Sequence, residues 1–554
     1  MGYPTKVQLI QRQESQQWYI NFPAPLAQAM EFQKGETIEW VIQDQNTLVL
    51  RRTEKIAAAR KPGEVKKKTI ALLPDVQELW ETCMDAFSQR RVGERARRLG
   101  FGQLACVGRH TVTGVLCATG RQDDDWSGDY RVYSKDRWEV EELFVPILGE
   151  VLDLLPAGAP VVMPLDDTTV RKTGTKIPGA GYKRDPLSPK FHTNLIWAQR
   201  FFQVSVMLPA GQVPGPARAI PVRFEHAPAL PKPKKSAPPE EWKAYRKQQR
   251  VQNLSTHAAQ TIQGLRQELD ERHDAQDRRL IAVGDGSYTN QTVIKRLPPH
   301  TTYIGRIRKD AKLFHLPRPE DQAPAGTTRR YGLPTPTPDE LRRDDQVPWR
   351  EIAVFGAGKM HDFRIKTLAP VLWKKAGPGH PLRLLVVAPV GYRLRKGSKL
   401  LYRQPAYLIC TDPSLPLELF LQGALWRWDI EVNHRDEKQI IGVGESQVWS
   451  PLSVARQPAL AVASYAILLL AGERAFQGRQ TRGALPLPKW QHKDPQQRMS
   501  TQELLRQLRS EVWRYAIDHA PADSDHFVTA PEDVTKSSES SSSPIPAWLY
   551  AASG

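Results

Sequence analysis

Hydrophobic and polar positions alternate at the start of this chain. Lys6-Val-Gln-Leu-Ile10 and Trp18-Tyr-Ile-Asn-Phe22 read as strands, and residues 37–43 and 47–52 read as two more. A short helix is expected from Pro23. The run Phe32-Gln-Lys-Gly35-Glu36 supplies the turn that follows, where glycine gives access to positive φ. Residues 60–68 carry Arg60-Lys-Pro-Gly63 and Lys66-Lys-Lys68 without apolar periodicity, the pattern of a basic linker. From Pro74 the spacing turns helical. Leu79, Met84 and Phe87 fit one helix, with Arg90, Arg91, Arg95, Arg97 and Arg98 crowding its end. Residues 111–118 and 137–155 predict two more helices.

From Val161 the character becomes α/β. Val161-Val-Met-Pro-Leu165 predicts a short buried strand ending on Asp166-Asp167, and residues 193–197 and 201–208 predict two further strands. The nine prolines of residues 209–239 argue against a continuous helix or a central strand there. A long polar helix is expected over 239–273. The next strand, 279–285, again ends on an aspartate, Asp285. Residues 300–410 hold strand-like runs at 302–307, 352–355, 382–388 and 406–411, separated by Pro/Gly-rich turns. Helices return from Leu417, and Ser537–Ser543 is low-complexity.

Length and charge narrow the classes. A chain of 554 residues should hold three or four domains at roughly 150 residues each. With 78 Lys+Arg against 60 Asp+Glu the net charge is +18, which points to nucleic acid or an acidic membrane surface. A hydrophobic fraction of 40% excludes a wholly disordered basic protein. The four cysteines form no C-x-x-C pair, which fits a reducing, cytoplasmic setting. The N-terminus lacks the apolar core of a signal peptide. The most apolar run, residues 459–471, is shorter than the roughly 20 residues a bilayer needs, so it is read as a buried helix.

Three acidic positions stand out by context. Asp166-Asp167 and Asp285 each follow an apolar strand and precede a polar turn, which places them at the rim of a sheet, where α/β proteins bind ligands. Glu431 lies in a helix whose spacing puts Arg427, Glu431, Arg435 and Lys438 on one stripe. Three carboxylates brought together would repel one another unless divalent cations neutralise them. Oxygen ligands favour Mg²⁺ or Mn²⁺, and the chain offers no His/Cys cluster of zinc spacing. Two such ions suit an in-line phosphodiester displacement, with the cations of the helix holding phosphates.

The order Leu165-Asp-Asp-Thr-Thr169, then Val283-Gly-Asp-Gly-Ser-Tyr288, then Arg427-x3-Glu431-x6-Lys438 resembles the DDE transposases of bacterial insertion sequences. The likeness runs from about residue 75 to 475, in the group marked by Y-x2-R-x3-E-x6-K and its branch with a DDT first-acid motif. The signature's tyrosine falls on Ala424. The first acid stays open, because a D-x-T pattern selects Asp166 and a D-T-T pattern selects Asp167. The resemblance implies an α/β fold with an RNase H-like core, a β-rich insertion before the catalytic helix, and Asp166, Asp285 and Glu431 as ligands of Mg²⁺, with Mn²⁺ as a substitute. It further implies cleavage of element ends, joining of 3′-hydroxyls to target DNA, and cut-and-paste movement through a hairpin.

The opening phrase INFPAPLAQAMEFQKGETIEW resembles AbrB-like swapped-hairpin DNA-binding modules. The expected organisation is therefore an AbrB-like module (1–55), basic linker (56–73), helical DNA-binding region (74–158), first core part (159–310), insertion (311–412), second core part (413–480), and a C-terminal helix with a Ser-rich tail (481–554). Arg427, Arg435 and Lys438 are candidate DNA contacts. Lys172 and Lys176 are either DNA contacts or loop solvation, and His434 reads as a neighbour on the helix. The expected partners are duplex element ends, target DNA and a second copy of the chain. A catalytically inert DNA-binding regulator and a structure-specific nuclease are the alternative readings.

Overall fold

The computed structural model describes residues 7–12, 15–20, 38–42, 48–52, 71–185, 188–189, 191–192, 194–318, 330–393, 395, 397–476 and 499–518. The chain divides into two compact units. One comprises Met1–Asp85, Gln89–Val132 and Ile467–Gly554; the other comprises Ala86–Ser88 and Tyr133–Ala466.

The first unit opens with two local antiparallel hairpins. β1 (Val7–Arg12) pairs with β2 (Ser15–Ile20), and β3 (Ile38–Ile42) pairs with β4 (Leu48–Arg52). The helix expected from Pro23, the Gly35 turn, the basic linker and the Ser-rich tail lie outside the described residues. Three helices follow: α1 (Leu73–Thr82), α2 (Arg90–Ala105) and α3 (Val112–Ala118). The arginines expected at the end of the first helix instead begin a separate one, α2. Several of them are already neutralised: Arg90 and Arg97 pair with Glu81, while Arg98, with Arg121, grips the fully buried Asp129.

The chain passes from the first unit into the second within α4 (Ser127–Ser134), and α5 (Val140–Leu154) belongs to the second. The second unit is built on β5 (Val161–Arg171), β6 (Gly181–Arg184), β7 (Leu195–Pro209) and β8 (Ala217–His226). Helices α6 (Pro239–Val251) and α7 (Leu254–Glu271), strand β9 (Leu280–Gly284), the short α8 (Gln291–Ile294) and strand β10 (Thr301–Arg306) follow. Next come β11 (Leu313–Phe314), α9 (Pro338–Arg343), β12 (Arg350–Gly356), β13 (Lys359–Trp373), β14 (Leu382–Val387), β15 (Gly391–Tyr392), β16 (Leu401–Tyr402) and β17 (Ala406–Cys410). The helices α10 (Leu417–Trp426), α11 (Trp428–Gln439) and α12 (Ser453–Phe476) close this part.

One mixed sheet of eleven strands organises the unit. Its centre reads β8-β7-β5-β9-β10, with β8, β7 and β5 antiparallel and β5, β9 and β10 parallel. This arrangement is consistent with an RNase H-like fold. The β-rich segment expected between the fifth core strand and the acid-bearing helix continues the same sheet: β17 pairs antiparallel with β10, and β14, β13 and β12 follow outward.

Three sequence expectations change here and one is refined. The strand expected to stop at Leu165 runs on to Arg171, because β5 leaves β9 after Pro164 and stays paired with β7. The runs at 193–197 and 201–208 form one strand, β7. The proline-rich segment holds neither a continuous helix nor a central strand, as expected: its strand β8 lies at an edge, which Pro221 can occupy because β8 pairs only with β7 and the register shifts beside that proline. The long helix expected over 239–273 is two helices, since the Asn253 side chain accepts from the Thr256 N–H and starts α7 afresh.

The face of the sheet that bears Val162, Ile281, Val283 and Ile304 packs against Phe420, Leu421 and Trp426 of α10. Burying that apolar face fixes α10 on the sheet, and α10 leads directly into α11. Helix α12 contains the apolar run 459–471, which is buried in the protein throughout. The last helix, α13 (Thr501–Asp518), belongs to the first unit. Its Glu511 carboxylate accepts from the Leu72 and Leu73 N–H groups (2.7 and 2.8 Å), satisfying orphan donors at the start of α1. Its Arg509 donates to the Leu104 and Cys106 carbonyls where α2 ends.

Candidate active site

Pairing along the sheet brings the first two acids together. The last parallel pair of β5 with β9 is Pro164 with Val283, and two residues farther along each chain stand Asp166 and Asp285. Strand side chains alternate between faces. Asp166 shares its parity with Val162, and Asp285 with Ile281 and Val283, so both acids belong to the face that carries α10.

Helix α11 supplies the third acid. Its buried side, Ile430, Asn433, His434 and Glu437, sits against the sheet. Asn433 fixes the rotation of the helix. Its Oδ1 accepts from Ser205 Oγ (3.1 Å), and its Nδ2 donates to the Ala219 carbonyl (3.1 Å) and to Tyr465 Oη (3.3 Å). Glu431 is thereby held near the acids of the strands. Arg427 bridges the two elements: Nη1 donates to Asp166 Oδ2 (3.0 Å) and Nη2 to Glu431 Oε1 (2.8 Å).

Burial pushes the Asp166 carboxyl up to about 7. Asp285 and Asp167 add to that rise, while Arg427 and the Asp167 N–H oppose it. Negative charge is thus crowded at this position. Asp285 is oriented by its own turn, its Oδ1 accepting from Ser287 N–H (2.8 Å) and Ser287 Oγ (2.6 Å). Asp167 has a different surrounding. It accepts from the Tyr288 phenol (2.7 Å), whose own ionisation is driven far upward by burial and by the neighbouring carboxylates, so the phenol remains a donor.

Tyr288, not assigned a role from the sequence, is the residue that separates the two adjacent aspartates. Its signal was its place in the Gly284-Asp-Gly-Ser-Tyr288 turn, three residues after Asp285. The small residues nearby have packing reasons. A Cβ on Gly284 would lie 2.2 Å from Tyr303 Oη, and one on Gly305 would lie 2.1 Å from Thr289 Oγ1.

The cations expected to contact DNA divide by environment. Arg427 is engaged with Asp166 and Glu431, as described. Arg435 is exposed and pairs with Asp436 (2.8 Å). Burial lowers the Lys438 ammonium below its ordinary value. Lys176 is exposed. Lys172 is withdrawn from solvent: it is buried, its Nζ donates to the Ser446 carbonyl (2.8 Å), and burial lowers it to about 8. A side chain so enclosed ties its loop to the segment after α11 instead of meeting a phosphate or solvent, the two roles open to it in the sequence. His434 is likewise buried and lowered to about 3, chiefly by burial, so it is a neutral packing residue. Ala424, at the signature's tyrosine position, packs against the sheet cluster.

A cleft of about 930 Å³ opens beside Asp285 and Glu431. Arg306, Arg308, Lys312, Lys374 and Lys375 line it, together with Phe314, Trp373 and Trp428. Lys374 lies 4.8 Å from the centre of the Phe314 ring, and Trp428 is 63% exposed. Alternating cations and aromatic rings are what a strand of nucleic acid requires: charge for phosphates and flat faces for unpaired bases.

The donor set suits a hard divalent cation in kind, since all three acids offer carboxylate oxygens only and their crowding would be relieved by positive charge. Among the described residues no group of three or more His, Cys, Asp or Glu is gathered closely enough to hold an ion. Arg427 supplies the counter-charge between Asp166 and Glu431. A model of the DDE superfamily endonuclease family matches residues 82–376, just over half of the chain, a span that includes Asp166 and Asp285 and ends before Glu431. No curated protein matches the chain.

Proposed function

Because the chain belongs to the DDE superfamily endonucleases, we propose that it is a DNA transposase, which cleaves the ends of its element and joins the freed 3′-hydroxyls to target DNA by cut-and-paste movement. The observation that carries this reading is the registration of Asp166 with Asp285 on neighbouring strands, tied through Arg427 to Glu431 at the mouth of a basic, aromatic cleft.

In this reading Asp166, Asp285 and Glu431 hold Mg²⁺, with Mn²⁺ as a substitute. Such ions would supply the activation of the attacking water or 3′-hydroxyl and the charge that stabilises the leaving oxygen. The remaining work belongs to the chain's own groups. Asn433 and the apolar seat of α10 keep Glu431 in place, and Tyr288 fixes Asp167, which acts as a positioning residue for the strand beside Asp166. Arg427 lines the cleft as well as balancing the acids, so it is available to a phosphate there. Arg435, Lys438 and Lys176 are assigned to the flanking DNA. A dimer holding two ends, and an AbrB-like role for the N-terminal hairpins, belong to the same proposal.

The direct test is cleavage of supercoiled donor plasmid with Mg²⁺. Asp285→Asn and Glu431→Gln should abolish nicking, and Asp166→Asn should do so where Asp167→Asn only slows it. Wild-type rates in the Asp285 and Glu431 variants would overturn the assignment. A second reading, a catalytically inert DNA-binding protein, draws support from Ala424 and from the arginine seated among the carboxylates. Calorimetric titration with Mn²⁺ separates the two, since an inert protein would show no binding that depends on Asp285. Pre-cleaved ends offered with target DNA distinguish a transposase from a simple nuclease, which would yield no joined product.

A further inference from the structure

Helix α6 is the least explained element of the second unit. It joins β8 to α7, away from the segment that separates β10 from α11, and none of its thirteen residues is buried. A helix of this length is marginal alone, and one polar on all sides needs a partner or a set of internal ion pairs. Among the described residues its cations make no ion pair. Pro239 at its start and Glu240 and Glu241 in its first turn favour the helix locally.

The cations are ordered. Lys243, Arg246, Lys247 and Arg250 stand at spacings of three, four and seven, which places them on one stripe. The stripe covers about 10 Å at ~1.5 Å per residue. Phosphates follow one another about every 3.4 Å of axis along one strand of duplex DNA, so roughly three fall within its reach. Lys232, Lys234 and Lys235, exposed in the proline-rich approach, extend the positive surface. Trp242 and Tyr245, half-buried and edge to face at 5.9 Å, form the neighbouring stripe.

We propose that the Lys243-Arg246-Lys247-Arg250 face of α6 is a second DNA-binding surface, docking on the phosphate backbone of duplex DNA outside the cleft that holds the reacting strand. The inference rests on the reading of the chain as a DNA-acting nuclease. Charge complementarity commits it to duplex DNA: four cations at phosphate-scale spacing match a polyanion of regular charge, while the aromatic pair of the helix, Trp242 and Tyr245, lies on the neighbouring stripe and is already half-buried.

The experiment measures binding of the full chain to a 30-base-pair duplex by fluorescence anisotropy, in EDTA, from 50 to 200 mM salt. The variant carries Lys243→Gln, Arg246→Gln, Lys247→Gln and Arg250→Gln; because no α6 residue is buried, its melting temperature should match wild type. Each phosphate that the protein no longer neutralises should flatten the log K against log salt slope by about 0.9. A loss of roughly two to four slope units and at least a tenfold weaker affinity at 100 mM salt is expected. A second variant moves two cations off the stripe at constant net charge, by Lys243→Gln and Lys247→Gln with Gln248→Lys and Gln249→Lys, and should also bind more weakly. An unchanged slope in the first variant, or unchanged affinity in the second, overturns the proposal. So does an unchanged DNA slope accompanied by lost binding to phosphatidylserine vesicles, which would assign the stripe to a membrane. Wild-type protein that neither binds nor cleaves DNA would bring down the nuclease reading itself.

Discussion

Replacing Asp166 by Asn should stabilise the metal-free protein at alkaline pH while abolishing cleavage. The Asp166 carboxyl ordinarily titrates at 3.8, and in the folded protein it is raised to about 7, first by burial and then by Asp285 and Asp167. Between these values the folded chain keeps a proton that the unfolded chain has released. Stability is therefore fully present below the unfolded value and falls as pH rises through the folded one. About three units at ~1.36 kcal/mol each give about 4 kcal/mol, an upper figure because the side chain remains 18% exposed. Asn resembles the protonated carboxyl in shape and charge and avoids this loss. The assay is thermal unfolding in EDTA from pH 4.5 to 8.5. The difference between variant and wild type should grow from about 2 °C at pH 4.5 to roughly 8 °C at pH 8.5, at ~2 °C per kcal/mol for a large domain. Glu437, buried and raised to about 8, titrates in both proteins and cancels in the difference. Mg²⁺ at pH 8 should raise the wild-type midpoint and leave that of the variant unmoved, since a ligand that binds the native state stabilises it. Parallel pH profiles for the two proteins would refute the account of Asp166 as a carboxyl whose charge is costly until a cation arrives.

Tyr288→Phe removes the donor to Asp167 and should lower stability by about 1.5–3 kcal/mol, the range for a hydrogen bond to a charged group, read from urea unfolding. Gly284→Ala places a methyl 2.2 Å from Tyr303 Oη and should cost about 1–3 kcal/mol through overpacking. Adding Tyr303→Phe should recover part of that loss; a double variant less stable than the single one would argue against the clash.

The strand and helix pattern was largely legible, because the apolar runs at 279–285, 302–307, 382–388 and 406–411 are buried on a sheet and read as such. Legibility failed where a local rule met a tertiary exception. Pro221 marked its segment as a poor strand, yet an edge position with a register shift accommodates it. The fifteen-residue β13 was missed because it lacks a compact apolar run: its outer half alternates with exposed residues, and Pro370 interrupts it. Asn253 reads as an interior polar residue until its side chain is seen to cap α7. Lys172 was open to a DNA contact or loop solvation and His434 read as a neighbour on the helix, and only burial distinguishes them from Lys176 and Arg435.

The choice between Asp166 and Asp167 was beyond any motif, because both patterns fit the same four letters. Pleating decides which surroundings each acid has. Adjacent residues of a strand face opposite ways, so the two carboxylates belong to two layers of the protein. Asp166 shares the α10 face with Asp285, where Arg427 and Glu431 wait. Asp167 lies on the other, opposite Phe202 in the β7 register and bonded to the Tyr288 phenol. A metal ligand needs lone pairs free of strong donors, and one Asp167 oxygen already accepts from Tyr288. On Asp166 the Asp167 N–H occupies one side of Oδ1 and Arg427 donates to Oδ2, and Arg427 is a cation at the rim of a cleft whose place an incoming ion can take. The same reasoning sets an order on the single variants. In the proposed reading Asp166→Asn would remove a metal ligand, whereas Asp167→Asn keeps a carbonyl able to accept from Tyr288. The first should eliminate Asp285-dependent Mn²⁺ binding in calorimetry and the second should weaken it only a few-fold. The reverse order would place the metal on the Tyr288 side of the sheet and require β5 to rotate by one residue.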